Sequence, residues 1–181
     1  IEFVRADVRD RERMRQILKR QEFVIHLAAV TSNVEFVKDP GGSYDTNVVG
    51  LLNVMAAAAK GDCKRLVFAS SAAVYLDTFA EDALIDVRMQ TNHYAKSKLI
   101  NEMTAESYAA ISAMKTIGLR YFNVYGDGEN EKGDYASIIT IFLKAKARGA
   151  PLLVYGDGKQ ARDLINVVDA ARVTMELLEK G

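Results

Sequence analysis

Short apolar runs alternate with helical patterns along the 181 residues, and this alternation constrains the fold more than any other feature. Glu2–Arg5 reads as a short strand. Asp10–Arg20 follows, with Met14, Ile17 and Leu18 on one helical face and Arg and Glu elsewhere. Glu22–Leu27 and Arg65–Ala69 are apolar strands. Between them Val48, Leu51, Leu52 and Met55 recur at helical spacing and predict one helix over Ser43–Lys60. A long helix over Thr91–Ile111 is capped by Thr91 or Asn92. Thr116–Tyr121 is a strand, and Ser137–Arg148 is a helix with Gly149 where a C-terminal cap belongs. Leu152–Tyr155 and Leu164–Val167 read as short strands, and a last helix starts at Asp169 and runs to Lys180. Strand–helix–strand alternation of this kind builds an α/β fold, a doubly wound and mostly parallel sheet covered on both faces. Ligands of such sheets sit at the carboxyl ends of the strands, so chemistry is expected there.

Composition removes several functions. Lys+Arg and Asp+Glu are both 24, and a formal net charge of zero argues against a nucleic-acid or membrane-surface binder working by bulk charge. One Cys excludes a disulfide framework and a Cys-based zinc site, and His26 and His93 share no metal-ligand spacing. The longest uncharged stretch, Thr46–Ala59, is too short to span a bilayer. The strand-like opening, Ile1-Glu-Phe-Val-Arg5, is unlike a signal peptide. The expectation is a cytoplasmic protein with no metal.

Two patterns need separating from chance. Gly156-Asp-Gly158-Lys-Gln-Ala161 fits a dinucleotide fingerprint, which requires a helix immediately afterwards, yet a strand pattern follows. Tyr-x-x-x-Lys occurs at Tyr94/Lys98 and at Tyr155/Lys159. Gly156 and Gly158 break any helix between the second pair. Tyr94 and Lys98 lie inside a helix, where residues four apart share a face. A phenol of pKa about 10 is a poor base at neutral pH. A neighbouring ammonium stabilises its phenolate, and the Tyr can then exchange a proton with an alcohol or sugar oxygen while hydride moves on the carbon. The alternative is a surface Tyr beside a solvated Lys. Ser70 and Ser71 end the strand Arg65–Ala69, where a hydroxyl can meet the same oxygen or merely satisfy a turn.

The ordered motifs extend further: Asp7-Val8, His26-Leu-Ala-Ala29, Asn47-Val-Val-Gly50, Phe68-Ala-Ser-Ser-Ala-Ala-Val-Tyr75, Tyr94-x-x-x-Lys98, Leu119-Arg-Tyr-Phe-Asn-Val-Tyr-Gly126 and Tyr155-Gly-Asp-Gly-Lys-Gln-Ala-Arg-Asp163. With these the chain resembles the extended short-chain dehydrogenase/reductase family, in its NAD-dependent nucleotide-sugar epimerase/dehydratase group, over almost its whole length. The resemblance implies a Rossmann-like sheet and NAD as cofactor. It assigns Asp7 and Val8 to adenine, and Leu27, Ala28 and Ala29 to the cofactor through their backbone. Asn47 steadies the loop around the site, and Tyr121 sits near the nicotinamide. Ser71 donates to the reacting oxygen, Tyr94 is the acid/base, and Lys98 bridges the nicotinamide ribose and tunes Tyr94. Asn123 and Arg162 hold the nucleotide diphosphate, as a guanidinium suits phosphate; for Arg162 a salt bridge with Asp163 is the plain alternative.

The resemblance also speaks to the reaction. Sugar 4,6-dehydratases of the group carry Asp-Glu where this chain has Ala72-Ala73, and decarboxylases tend to carry Glu at the second position. Two alanines leave epimerisation, most like UDP-glucose 4-epimerases acting through a 4-keto sugar. UDP-N-acetylglucosamine, UDP-glucuronate and ADP-heptose epimerases, or a truncated relative that only binds, are the alternatives. The resemblance further implies a homodimer through helices 43–60 and 91–111. Leu76, His93, Asn166 and Thr31 depart from the residues usual in the group at their positions. The motifs begin at the family's third strand, so the expectation is one partial NAD-binding domain over 1–181, with 150–167 opening the substrate-binding region. The first strand, the Gly-rich turn with its helix, and the second strand are expected to lie outside this chain.

Overall fold

The computed structural model describes residues 2–75, 89–129 and 136–180. They divide into two compact units, Ile1–Arg120 with Glu176–Gly181, and Tyr121–Met175.

In the first unit, α1 (Arg11–Leu18) starts where the Asp10 carboxylate accepts the Arg13 N–H at 2.9 Å, and it buries Met14. The strands β1 (Phe23–His26), β2 (Arg65–Ser71) and β3 (Lys115–Tyr121) form a sheet in the order β1-β2-β3. β1 and β2 are parallel, with Phe23 opposite Arg65 and His26 opposite Phe68. The crossover between them holds α2 (Asn33–Lys38), α3 (Pro40–Tyr44), a π-helical turn (Asp45–Val49) and α4 (Gly50–Lys60). The single helix expected over Ser43–Lys60 is therefore corrected: it starts at Pro40 and carries a π turn, and the unexpected α2 precedes it. A 3₁₀ turn (Ala72–Tyr75) follows β2, and α5 (His93–Ile111) leads to β3.

The core lies between α1, α4, α5 and the sheet. Met14, Val24, Leu51, Val54, Met55, Cys63, Leu66, Phe68 and Met114 form one buried cluster. Burial of each large side chain is worth roughly 1.5–3 kcal/mol. Close approach fixes two glycines here. A Cβ on Gly50 would stand 2.6 Å from Val8 Cγ2, and one on Gly118 2.7 Å from Phe68 Cζ.

In the second unit β4 (Asn123–Tyr125), absent from the sequence expectation, pairs in parallel with β5 (Leu164–Asn166), Val124 opposite Ile165. α6 (Ile138–Ala147) starts at Ser137 and ends before Gly149, whose φ is +64°. Glu129 anchors that start, accepting from Ser137 N at 2.7 Å, Ser137 Oγ at 2.8 Å and Thr140 Oγ1 at 2.6 Å. α7 runs Val167–Lys180, two residues earlier than the expected Asp169.

Two expected strands are corrected. Glu2–Arg5 and Leu152–Tyr155 have no ladder partner among the described residues, and both are exposed, Phe3 by 89%. An apolar pattern becomes a strand only where a neighbour takes its N–H and C=O groups. Leu76 lies outside the described residues. No described helix is long and apolar enough to cross a membrane.

Candidate active site

The first unit gathers three of the expected groups at the carboxyl end of β2. Asn92 Oδ1 accepts the Ala95 N–H at 3.2 Å, which makes Asn92 the cap of α5 and starts the helix just before Tyr94. Lys98, one turn later, is buried and donates from Nζ to the Ala69 carbonyl at 2.8 Å, with Nζ 5.6 Å from the centroid of the Tyr94 ring. A solvated surface pair is thereby ruled out. Burial lowers the Lys98 pKa from 10.5 to about 8. An ammonium has three donors, and the hydrogen bond to Ala69 uses one of them. Burial also raises the Tyr94 pKa above its ordinary value, while the neighbouring Ser71 hydroxyl pulls it back down. Ser71 Oγ in addition accepts the Ala73 N–H at 3.2 Å, so it serves the turn as well as Tyr94.

The π turn aims Asn47 into this site. Its side chain is buried and spans Val30, accepting from Val30 N at 2.7 Å and donating to Val30 O at 2.9 Å. The same Nδ2 reaches Ser97 Oγ at 3.2 Å, and Ser97 Oγ donates to Tyr94 O at 2.7 Å. A π turn adds one residue to the helix, a device frequent at functional sites. Asn47 thus ties the loop after β1 to the helix carrying Tyr94.

Other groups complete the surroundings. His26 at the end of β1 is buried and held neutral, its pKa lowered from 6.5 to about 4 by burial and by the charge of Lys98. Phe36, fully buried, packs edge-on against Tyr94 at 6.3 Å and Tyr44 at 5.5 Å. The Tyr44 hydroxyl is 3.3 Å from Nδ1 of His93, the residue standing where the group usually has Pro. Leu27, Ala28 and Ala29 leave the carboxyl end of β1 with Leu27 60% exposed, open to a ligand. Asp7 is exposed and engaged by Arg9, whose Nε donates to Oδ1 at 3.0 Å and Nη2 to Oδ2 at 2.6 Å; these bonds lower its pKa to about 2. The Val8 carbonyl accepts from Asn53 Nδ2 at 3.1 Å.

In the second unit Asn123 and Arg162 come together, lining an open groove of about 820 Å³ with Phe142, Tyr155 and Gln160. Asn123 Nδ2 donates to Asp163 O at 2.9 Å, and Arg162 Nη1 to Ala161 O at 2.7 Å. No ion pair joins Arg162 to Asp163 among the described residues. The Tyr121 hydroxyl bonds Thr174 Oγ1. Gly156 and Gly158, at φ +68° and +75°, shape a turn leading to β5, so the apparent fingerprint lacks its helix.

Residues 1–181 match the NAD dependent epimerase/dehydratase family throughout. The chain belongs to the NAD dependent epimerase/dehydratase family. UDP-glucose 4-epimerase of Mycoplasma genitalium is 35% identical to it over 93% of this chain and 54% of that protein. UDP-N-acetyl-alpha-D-glucosaminuronate decarboxylase of Bacillus cytotoxicus is 33% identical, over 99% of this chain and 57% of that protein. The solved UDP-glucose 4-epimerase of Thermotoga maritima, with UDP-glucose, superposes with a TM-score of 0.85 at 30% identity, over 99% of this chain and 59% of that one. This member of the epimerase/dehydratase family therefore spans somewhat over half the length of these relatives, and its Rossmann-like α/β architecture is the expected one.

The sequence reading missed Ser97, His26, Phe36 and Tyr44. Ser97 had a signal, since it sits between Tyr94 and Lys98 where the inward face of α5 should be apolar. Phe36 had none, because α2 was not expected, and Tyr44 lay in the first turn of the expected helix Ser43–Lys60 with nothing in the sequence to link it to His93 or Phe36.

Proposed function

We propose that the full-length protein is an NAD-dependent nucleotide-sugar epimerase of the cytoplasm, converting UDP-glucose and UDP-galactose at C4 through a 4-keto intermediate. The carrying observation is the trio at the end of β2. Tyr94, whose pKa the Ser71 hydroxyl pulls down, lies beside the buried Lys98, while Ala72 and Ala73 follow Ser71 with no acid. Tyr94 accepts the proton of the sugar hydroxyl and later returns it, and Ser71 donates to the same oxygen. The Lys98 ammonium, 5.6 Å from the centroid of the Tyr94 ring, supplies positive charge beside the phenolate. NAD, when bound, supplies the hydride acceptor and donor. The residues read as holding it are Asp7, Val8, Leu27, Ala28, Ala29, Asn47, Tyr94, Lys98 and Tyr121; the two remaining donors of Lys98 suit a ribose. Asn123 and Arg162 hold the substrate diphosphate, within a substrate region that 150–167 opens. Val49, Met103 and Ile111 are exposed apolar residues on helices 43–60 and 91–111, which supports a homodimer through those helices.

A panel of nucleotide sugars incubated with the full-length protein tests this, products being separated by anion-exchange chromatography. Interconversion of UDP-glucose and UDP-galactose is expected. Faster turnover of UDP-N-acetylglucosamine, UDP-glucuronate or ADP-heptose would move the substrate assignment. Release of water or carbon dioxide from the sugar would overturn the epimerase reading.

A further inference from the structure

The carboxyl end of β2 is gripped a second time, one turn further along α5. Glu102 follows Lys98 by four residues on that helix, and its Oε1 accepts from the Ser70 hydroxyl. Arg120 on β3 reaches the same carboxylate through Nε at 2.9 Å and Nη2 at 2.8 Å, a bidentate pair that fixes direction as well as distance. The Arg120 guanidinium carbon stands 4.8 Å from the centroid of the Tyr75 ring. Tyr75 closes the 3₁₀ turn that follows Ser71. One ion pair therefore joins α5, β2, β3 and that turn.

The grip bears on Ser71, the last residue of β2. Ser70 is buried against Glu102 on α5, and Tyr94 stands two turns earlier on the same helix, where the Ser71 hydroxyl pulls its pKa down. The preceding Ala69 carbonyl is held by Lys98. Residues 69 and 70 are thus both anchored to α5, and Ser71 alone is left for chemistry. The Glu102 and Arg120 side chains are 20% and 32% exposed, and an apolar pair would serve packing as well there.

We propose that Glu102 and Arg120 are positioning residues that clamp Ser70 and thereby set the Ser71 hydroxyl against Tyr94. The proposal rests on the acid/base reading of Tyr94 given above.

The test is the titration of Tyr94 in the full-length protein. It is followed by tyrosinate absorbance as a difference from Tyr94→Phe, in wild type, Ser71→Ala, Glu102→Gln and the double variant. Ser71→Ala should raise the Tyr94 pKa by about 0.5–1 unit, since a bond that favours the phenolate is lost. Glu102→Gln should raise it by a similar amount, and the double variant no further than Ser71→Ala alone. Loss of the Glu102 charge acting directly would move Tyr94 down, so the sign separates the two causes. Lys98, His93, His26 and Tyr44, the other titratable groups near Tyr94, are the same in all four proteins. An unchanged or lowered Tyr94 pKa in Glu102→Gln, or full additivity with Ser71→Ala, overturns the clamp. If Glu102→Gln does not fold, Ser70→Ala removes the same link and must give the same upward shift. In turnover, Glu102→Gln should lower kcat about tenfold with KM within about twofold. A wild-type protein that turns over no nucleotide sugar would defeat the functional reading, while the titration still decides the clamp.

Discussion

Leu51, Met55, Leu66 and Phe68 in the first unit are at most 2% exposed, whereas in the second unit Leu152, Leu153, Val154 and Tyr155 are each at least 50% exposed and α6 carries no buried residue. The proposed chemistry divides along the same line. The proton-transfer trio Ser71, Tyr94 and Lys98 stands on the cored unit, and the diphosphate candidates Asn123 and Arg162 stand on the other. Proton transfer needs groups held to fractions of an ångström, and a packed core supplies that rigidity. A guanidinium meeting a flexible diphosphate tolerates a looser mount. The order of the second unit comes instead from polar anchors such as Glu129 on Ser137 and Thr140.

The largest expected effect tests the cores. Phe68→Ala should destabilise the full-length protein by about 3–5 kcal/mol, and Ile141→Ala, on the half-exposed face of α6, by about 1 kcal/mol or less. Urea unfolding checks this, and equal costs would erase the contrast. The next is acid sensitivity, which should belong to the first unit. His26 has a pKa of about 4 in the folded chain against an ordinary 6.5. The unfolded chain takes up the proton first, so stability present above pH 6.5 is lost as the pH falls towards 4. The loss should reach up to about 3 kcal/mol. Unfolding midpoints at a series of pH values should fall over that window in wild type and flatten in His26→Asn. The third effect is kinetic and belongs to the second unit. Arg162→Ala should raise KM about 10- to 100-fold with kcat within about threefold, as expected of a group that binds ground and transition states alike. A fall in kcat with KM unchanged would place Arg162 in the chemistry instead.

Legibility in the sequence followed the same division. α1, α5, β1 and β2 were legible because each puts buried residues into a formed core, whereas β3, legible from its apolar run, has none fully buried. Glu2–Arg5 and Leu152–Tyr155 have the composition of strands without a partner, and pairing is a property of the neighbour. The π turn was hidden because helical spacing reads almost alike with one residue added; its cause is the tertiary bonding of Asn47 to Val30 and Ser97. Ser71, Tyr94 and Lys98 were legible because their types, spacing and order recur in a known group. Glu102 and Arg120 were not, since two ordinary charges 18 residues apart become a pair only when α5 folds back beside β3.

The central claim is that Tyr94 moves the proton. Its most direct test is turnover of UDP-galactose by the full-length wild type and by Tyr94→Phe, with unfolding midpoints measured alongside. The account predicts a fall in kcat of about 100- to 10,000-fold in a variant that remains folded. Wild-type turnover by Tyr94→Phe would contradict it.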